Sequence, residues 1–427
     1  MTGARLLYTV LAYLLVPAAL LRLVWRARGQ RAYLRFVPER FGRYRTARRR
    51  PLIWVHAVSV GETRAAEPLV KALRERHPSH QFLLTHMTPT GRETGSMLFG
   101  GSVAQCYLPY DLPGAVERFL DYFEPSCGVL LETELWPNLI AACHRRGIPL
   151  TLANARMSQR SFHGYRRFGS LIAPTLRMLH AVAAQSGDDA DRLAALGARH
   201  AKVTGNLKFD STPEPESIRR GEQWRASFSP PRAVLLAAST REGEEALLID
   251  AIAGSDAPDV LVLLVPRHPQ RFRDVAQLLE RAGVRYVRRS DGARVGPDVR
   301  VVLGDTMGEM YAYYAACDVA ILGGSLLPMG GQNLIEACAV GRPVVVGPHM
   351  FNFAEATRLA LEAGAAVQAG DARSAVTEAL ALMRDSARCN SMSRAGRELT
   401  LRHRGAADRV AGMMGLPEAG ATSPATD

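Results

Sequence analysis

The sequence predicts an α/β protein of two doubly wound domains facing each other across a cleft, preceded by an N-terminal membrane-anchor helix. Two observations predict the domains and a third predicts the helix. At 427 residues the chain exceeds the length at which one hydrophobic core keeps growing, so it divides. Short apolar runs, each followed by turn residues and then by a segment of helical periodicity, recur through both halves. That alternation builds a parallel sheet covered by helices on both faces. The third observation is an uncharged apolar stretch near the N-terminus with arginines directly behind it.

That stretch, Leu6 to Leu21 (LLYTVLAYLLVPAALL), falls slightly short of the ~20 residues of a bilayer span, but Arg22 can snorkel and extend the apolar run to Trp25. Residues 1–50, the anchor and basic segment, hold twelve arginines, no lysine and one acid, Glu39, a net +11 out of the chain's +12. The rest of the chain is therefore nearly neutral. This excludes a body-wide nucleic-acid face and points to a local contact with an anionic membrane surface. Eleven of the arginines lie at or after Arg22, which places the body on the cytoplasmic side of a spanning helix. A helix lying in the membrane interface fits the same pattern, while arginines directly after the apolar run oppose a cleaved signal peptide.

The first domain, 51–210, opens with the apolar run Pro51–Val60, broken at Gly61, and Glu62–His77 then has helical periodicity. Further strands are expected at Gln81–Thr85, Cys127–Leu131 and Pro149–Ala153. Ligands of doubly wound domains bind beyond the carboxyl ends of the strands, so residues there are the site candidates. Glu62 follows the first strand, beside a glycine that permits a tight turn and the close approach of a ligand. The same residue also suits a helix start, where its charge meets the dipole. Glu132 and Glu134, in LLETELWPN, follow the run Gly128–Leu131 and suit a general base or a partner for sugar hydroxyls. One of them reads equally as a cap or an ion-pair member. Asn154-Ala155-Arg156-Met157-Ser158, after another strand, offers polar contacts to a sugar or a phosphate.

Ser211-Thr212-Pro213-Glu214-Pro215 reads as the linker, because prolines flanking an acid resist both helix and central strand. In the second domain, 211–417, strands are expected at Ala233–Ala237, Val260–Val265, Val284–Val287, Val299–Leu303, Val319–Leu322 and Pro343–Val346, and a helix at Gly331–Val340. Gly323-Gly324-Ser325 and Met329-Gly330-Gly331-Gln332-Asn333-Leu334-Ile335-Glu336 form its strongest local signal. A glycine-rich turn opening a helix exposes backbone N–H groups and the positive helix end, which suits a phosphate at Gly330 and Gly331. Glu336, one turn into that helix, is placed to reach a ribose diol. Arg267-His268-Pro269 and Asp305-Thr306-Met307-Gly308-Glu309 follow two other strands and converge on the same sheet edge, which makes a nucleotide site of the three loops. Residues 418–427 read as a flexible tail.

The six cysteines are scattered, without a C-x-x-C pair or a histidine at ligand spacing, and read as buried thiols rather than as a metal or disulfide framework. Neither G-x-G-x-x-G nor G-x-x-x-x-G-K-[ST] occurs, which weakens dinucleotide dehydrogenases and NTPases together.

Taken in order, SVGE at 59–62, ETELWPN at 132–138, NARMS at 154–158, GNLKFD at 205–210, PRHPQRF at 266–272, GDTMGEM at 304–310 and GGQNLIEA at 330–337 resemble the 3-deoxy-D-manno-octulosonic acid (Kdo) transferase family. The resemblance runs from Glu39-Arg40-Phe41-Gly42 to about Arg358. It implies the GT-B fold of two Rossmann-like domains, and inverting transfer of Kdo from CMP-Kdo to a lipid A precursor without a cofactor or a metal. It further implies that Glu62 is the catalytic base and that Glu132 and Lys208 stabilise the transition state. CMP would be held by Arg267 and His268, by Met307, Gly308 and Glu309, and by Asn333, Leu334, Ile335 and Glu336. On composition alone Lys208 is a solvated lysine near the linker. The competing readings are another sugar-nucleotide transferase or epimerase of the same fold class, and a non-catalytic scaffold on the membrane surface.

Overall fold

In a computed structural model, which describes residues 2–46 and 50–416, the first half forms strands β1 (Leu52–His56), β2 (Gln81–His86), β3 (Ala104–Tyr107), β4 (Cys127–Leu131), β5 (Leu150–Ala155), β6 (Ala181–Ala184) and β7 (Ala201–Val203). They pair in parallel in the order β3-β2-β1-β4-β5-β6-β7. Successive residues of β1 feed opposite faces: Leu52 and Trp54 enter one apolar cluster with Leu83, Leu130 and Leu152, whereas Ile53 and Val55 enter another with Leu84, Val129 and Leu131. A strand buried on both sides needs no polar residue, which is why LIWV and CGVLL are unbroken apolar runs.

The second half repeats the plan with β8 (Val234–Thr240), β9 (Leu261–Pro266), β10 (Tyr286–Arg288), β11 (Val301–Leu303), β12 (Val319–Leu322), β13 (Val344–Val346) and β14 (Ala366–Gln368), in the order β10-β11-β9-β8-β12-β13-β14. Cys127–Leu131 and Val319–Leu322 form strands at the expected bounds, and the other expected strands shift by a few residues at their ends. The sequence pattern did not reveal β3, β6, β7 and β14. They are three or four residues long, too short to show a strand period, and β6 is mostly alanine, which carries little strand preference. The helix expected at Gly331–Val340 is only Ile335–Val340. Gly330 and Gly331 have φ of +93° and +76°, values that a right-handed helix does not contain.

The chain divides into two compact units, one of residues 1–211 together with the segment from Arg404 onward, the other Thr212–His403. The expected second domain, 211–417, therefore ends at His403. The helix Ala406–Ala411 returns to the first unit because Ala406, Ala407, Val410 and Ala411 bury against Leu69, Val70 and Leu73. Asp210 fixes that return by accepting from the N–H groups of Gly405 (2.6 Å) and Ala407 (2.5 Å). The expected tail, 418–427, lies outside the described residues.

The N-terminal apolar stretch is two helices, α1 (Gly3–Leu14) and α2 (Val16–Ala27), meeting at 43°. Pro17, which has no N–H for the ladder, sits in the first turn of α2. No single described helix is long and apolar enough to cross a membrane, although the bent pair is so by length and composition together. One side of α1 is attached to the first unit. Tyr8 hydrogen-bonds the buried Asp111 carboxyl, and Thr9 Oγ1 donates to Asn138 Oδ1 at 3.1 Å. Asp111 in turn caps the helix Pro137–Arg145 by accepting from the N–H groups of Asn138 (2.9 Å) and Leu139 (2.8 Å). Leu6, Leu7, Val10, Leu11, Leu14, Leu21 and Trp25 remain exposed. Not every arginine of the basic segment is available to an anionic surface. Arg40 is 1% exposed, its guanidinium 4.2 Å over the Tyr107 ring, and its neighbour Glu39 pairs with Arg92 at 2.8 Å.

Two glycines test this packing in opposite directions. At Gly128 on β4 a Cβ would lie 2.6 Å from Leu150 Cδ1 and 2.7 Å from Trp54 Cε3, so Gly128→Ala should destabilise by about 1–3 kcal/mol through overpacking. Gly164, in the helix Gln159–Arg166, has open space around it, and Gly164→Ala should stabilise by up to ~1 kcal/mol. Denaturant titration of both variants reads the two signs; a neutral Gly128→Ala would mean that β1, β4 and β5 pack less closely than described.

Candidate active site

In the first unit the strand order reverses between β1 and β4, and the candidate carboxylates stand at that switch point. Beyond β1, Ser59 caps the helix α3 (Val60–Arg76). The Ser59 hydroxyl donates to Glu62 Oε1 at 2.9 Å, and the Val58 N–H donates to Oε2 at 2.8 Å. The two sequence readings of Glu62, helix start and site carboxylate, therefore describe one arrangement, since the capping bonds hold the carboxyl in place. Burial raises the Glu62 pKa from the usual 4.5 to about 7, the charge of Glu132 adds to the rise, the bonds from Val58 and Ser59 oppose it, and Glu134 contributes the smallest part. A carboxyl poised near neutrality takes up and releases protons under ordinary conditions. Ser59 was legible in the S-x-x-E spacing, which is the capping-box signature.

Pairing of Leu131 with Ala153 sets Glu132 and Asn154 on adjacent strand ends. Both have left-handed backbones, φ +57° and +54°, which few residues other than glycine tolerate. Lys208, in the short turn Leu207–Asp210, reaches Glu132 Oε1 with its Nζ at 3.2 Å. Its neighbours Leu207 and Phe209 are 0% and 2% exposed, so the lysine that composition placed in solvent is held against the sheet edge. In the NARMS segment Asn154 and Met157 are fully buried and thus act inside the fold rather than on its surface. Burial raises the pKa of Glu134. Two histidines end the neighbouring strands: burial lowers His56 to about 3 and His86 to about 4, so both stay neutral near the carboxylates. His56 stands edge-on to the Trp136 ring, the centroids 6.1 Å apart.

In the second unit the reversal falls between β8 and β12. Ser239, the last residue but one of β8, has φ +57°, and Gly323 lies so close to its carbonyl that a Cβ would collide. Glu244, fully buried, accepts from the N–H groups of Gly324 (2.6 Å), Leu326 (2.9 Å) and Arg241 (2.9 Å), and thereby ties the two loops together. Partial burial lowers the pKa of His268, and Arg241 and then Arg267 add to the effect. Three cationic or protonatable side chains within electrostatic reach of one another suit an anion. Arg241 is a candidate that the sequence pattern missed, although it directly follows β8 and Gly243 marks the turn two residues on.

The remaining candidates divide by what they expose. Met307 and Gly308 are exposed, with Gly308 at φ +84°. Glu309 is occupied by Arg289 at 3.2 Å and Arg220 at 3.6 Å, so the main chain of Met307 and Gly308 is what this loop offers. Gly330 and Gly331 precede the helix by several residues instead of opening it, which removes the helix end from the phosphate site expected there. The Gly331 N–H donates to Gly324 O at 2.7 Å. Leu334 and Ile335 are buried, leaving only their main chain for a ligand. Glu336 stands in the first helical turn, where Asn333 Nδ2 donates to its Oε1 at 3.2 Å.

Comparison with known proteins follows this division. The family model described as 3-deoxy-D-manno-octulosonic-acid transferase matches residues 35–211, and that of glycosyl transferases group 1 matches 283–399. The solved structures of Anabaena HepE in complex with UDP-glucose and of the Neisseria meningitidis UDP-GlcNAc 2-epimerase share the GT-B-like fold. Their TM-scores are 0.58 and 0.59 at 16% and 13% identity, over 84% and 85% of this chain and 98% and 99% of theirs. The 3-deoxy-D-manno-octulosonic acid transferase of Bordetella pertussis is 48% identical over 420 residues, 93% of this chain and 97% of that protein. The enzyme of the same name from Haemophilus influenzae is 36% identical over 413 residues, 95% and 97% of the two chains. With relatives this similar along nearly its whole length, the chain belongs to the Kdo transferase family.

Proposed function

We propose that this chain is an inverting glycosyltransferase that moves Kdo from CMP-Kdo to a hydroxyl of a lipid A precursor, at the cytoplasmic face of the bacterial inner membrane. The observation that carries the reading is the Glu62 carboxyl, held by two capping bonds and raised to about 7 beside Glu132. Glu62 removes the proton from the acceptor hydroxyl. The oxygen forms its bond to the anomeric carbon of Kdo from the face opposite CMP, the bond to the phosphate oxygen breaks, and its electron pair leaves with CMP. One displacement inverts the carbon. The Glu132 carboxylate offers negative potential to the positive charge that develops there, and Lys208, 3.2 Å away, holds that carboxylate in place.

The second unit carries the donor. Arg241, Arg267 and His268 face the phosphate charge, the main chain of Met307, Gly308 and the 333–335 segment lies along the nucleotide, and Glu336 takes the ribose diol. Gly330 and Gly331 shape the loop before the helix. The exposed apolar side chains of α1 and α2, with arginines behind them, support attachment to a membrane that holds the acceptor.

Glu62→Gln should lose turnover by at least ~100-fold with CMP affinity unchanged, and wild-type kcat/KM should fall as pH drops through about 7. Near-normal turnover of the variant removes Glu62 from the mechanism. The same carboxyl makes a prediction about stability. Because its folded pKa lies above the usual 4.5, the fold holds the proton more tightly than the unfolded chain, so this group's contribution to stability declines from about pH 4.5 to about pH 7 and is flat outside that window. Melting curves of wild type and Glu62→Gln across this range should diverge in favour of the variant as pH rises; parallel curves would sink the assignment.

Arg241→Ala should weaken CMP binding by ~10-fold or more, the loss expected for a charge-assisted hydrogen bond, and Glu336→Ala should weaken it as well. Calorimetry with CMP measures both, and unchanged affinity in either variant removes that residue from the donor site.

A further inference from the structure

The contact between Lys208 and Glu132 depends on a residue that touches neither side chain in a described bond. Asn154, the last residue but one of β5, has a left-handed backbone, is 0% exposed, and accepts from the Leu207 N–H with its Oδ1 at 3.1 Å. Its main-chain oxygen accepts from Gln185 Nε2 at 3.0 Å, and Gln185 Oε1 accepts from Asn206 Nδ2 at 3.2 Å. Asn206 Oδ1 then accepts from the Lys208 N–H at 3.0 Å. Asn154 thus holds both residues that precede Lys208, one directly and one through Gln185. The left-handed backbone aids this, since an asparagine adopts it with less strain than most residues.

The burial of Asn154 is not explained by packing. Its Nδ2 lies inside the protein without a hydrogen-bond partner, an arrangement that costs stability and that an alanine or glycine would avoid. A buried amide kept at such a cost, next to Glu132 in strand register, marks a position where placement matters more than stability.

We propose that Asn154 is a positioning residue for the transfer reaction, buckling the 206–208 turn onto the end of β5 so that the Lys208 ammonium is held against the Glu132 carboxylate. The inference rests on the proposed roles of Glu62, Glu132 and Lys208. It also links the turn to proton transfer. The charged groups acting on Glu62 are Glu132 and Glu134, with Lys208 on Glu132, while His56 and His86 at the ends of β1 and β2 stay neutral. When the lysine is released, the Glu132 charge is less compensated, Glu62 binds its proton more tightly, and the acid limb of the pH–rate profile moves to higher pH.

The experiment compares Asn154→Gly, Lys208→Met and the double variant in the full-length enzyme with CMP-Kdo and a detergent-dispersed lipid A precursor. Glycine accepts the left-handed backbone and removes only the side chain, so Asn154→Gly should keep its melting temperature. It should lose at least ~10-fold in kcat and shift the acid limb upward in the same direction as Lys208→Met, and the double variant should be no slower than Lys208→Met alone, as residues acting through one another are non-additive. Wild-type kcat in Asn154→Gly, an unmoved acid limb, or losses that multiply in the double variant would overturn the proposal. If Asn154→Gly does not fold, Gln185→Ala carries the test, since it frees Asn206 and leaves the Asn154 side chain in place; an unchanged rate and acid limb there would overturn the proposal equally. Should Glu62→Gln and Lys208→Met both retain turnover, the functional reading itself fails; should they lose it while Asn154→Gly does not, only this inference fails.

Discussion

Both faces of each sheet are covered by apolar helices, so a polar side chain carried by a strand can meet a ligand only at the sheet's ends. Everything chemical in the molecule follows from that constraint. Glu62, Glu132 and Asn154 stand at the carboxyl ends of β1, β4 and β5, while Ser239 and Arg241 close β8. Three of these positions, Glu132, Asn154 and Ser239, have left-handed backbones without being glycine. At Asn154 and Ser239 the pairing register shifts and resumes one residue on, at Ala155 and Thr240, so the left-handed residue bulges the strand and re-aims its side chain at the sheet's edge.

The two units solve opposite electrostatic problems with this edge. In the first, negative charge is concentrated: Glu62, Glu132 and Glu134 interact, and a single lysine against Glu132 relieves part of the repulsion. Burial raises one of these carboxyls, Glu62, to about 7, and the charge of Glu132 adds to the rise. In the second, positive charge is concentrated around Arg241, Arg267 and His268. The buried Glu244 there spends its oxygens on backbone N–H groups and so fixes loops instead of neutralising the cations.

Much of this was legible from residue patterns because buried parallel strands leave an unmistakable mark, as in CGVLL and VAIL, whose bounds the structure keeps. The short strands β3, β6, β7 and β14 left none, since three or four residues are too few to show a strand period. Among the site residues, Glu62, Glu132 and Glu134 showed themselves through their position after apolar runs. Lys208 did not, because its placement is decided by bonds to Asn154 and Asn206 from a distant strand and its own turn. The glycines at 330 and 331 misled for a physical reason: a glycine-rich segment before a helix signals a sharp turn but not where the helix begins, and here positive φ postpones it to Ile335.

The attachment of α1 has a mechanical meaning. The Asp111 carboxyl that receives Tyr8 is also the cap of the helix Pro137–Arg145, which begins where the Glu132–Trp136 loop ends. The first helix is therefore less a leash than a lever whose short arm ends beside the carboxylates. By reciprocity of linked equilibria, whatever shifts α1 against Asp111 shares its free energy with that loop, and whatever stiffens the loop tightens the hold on α1.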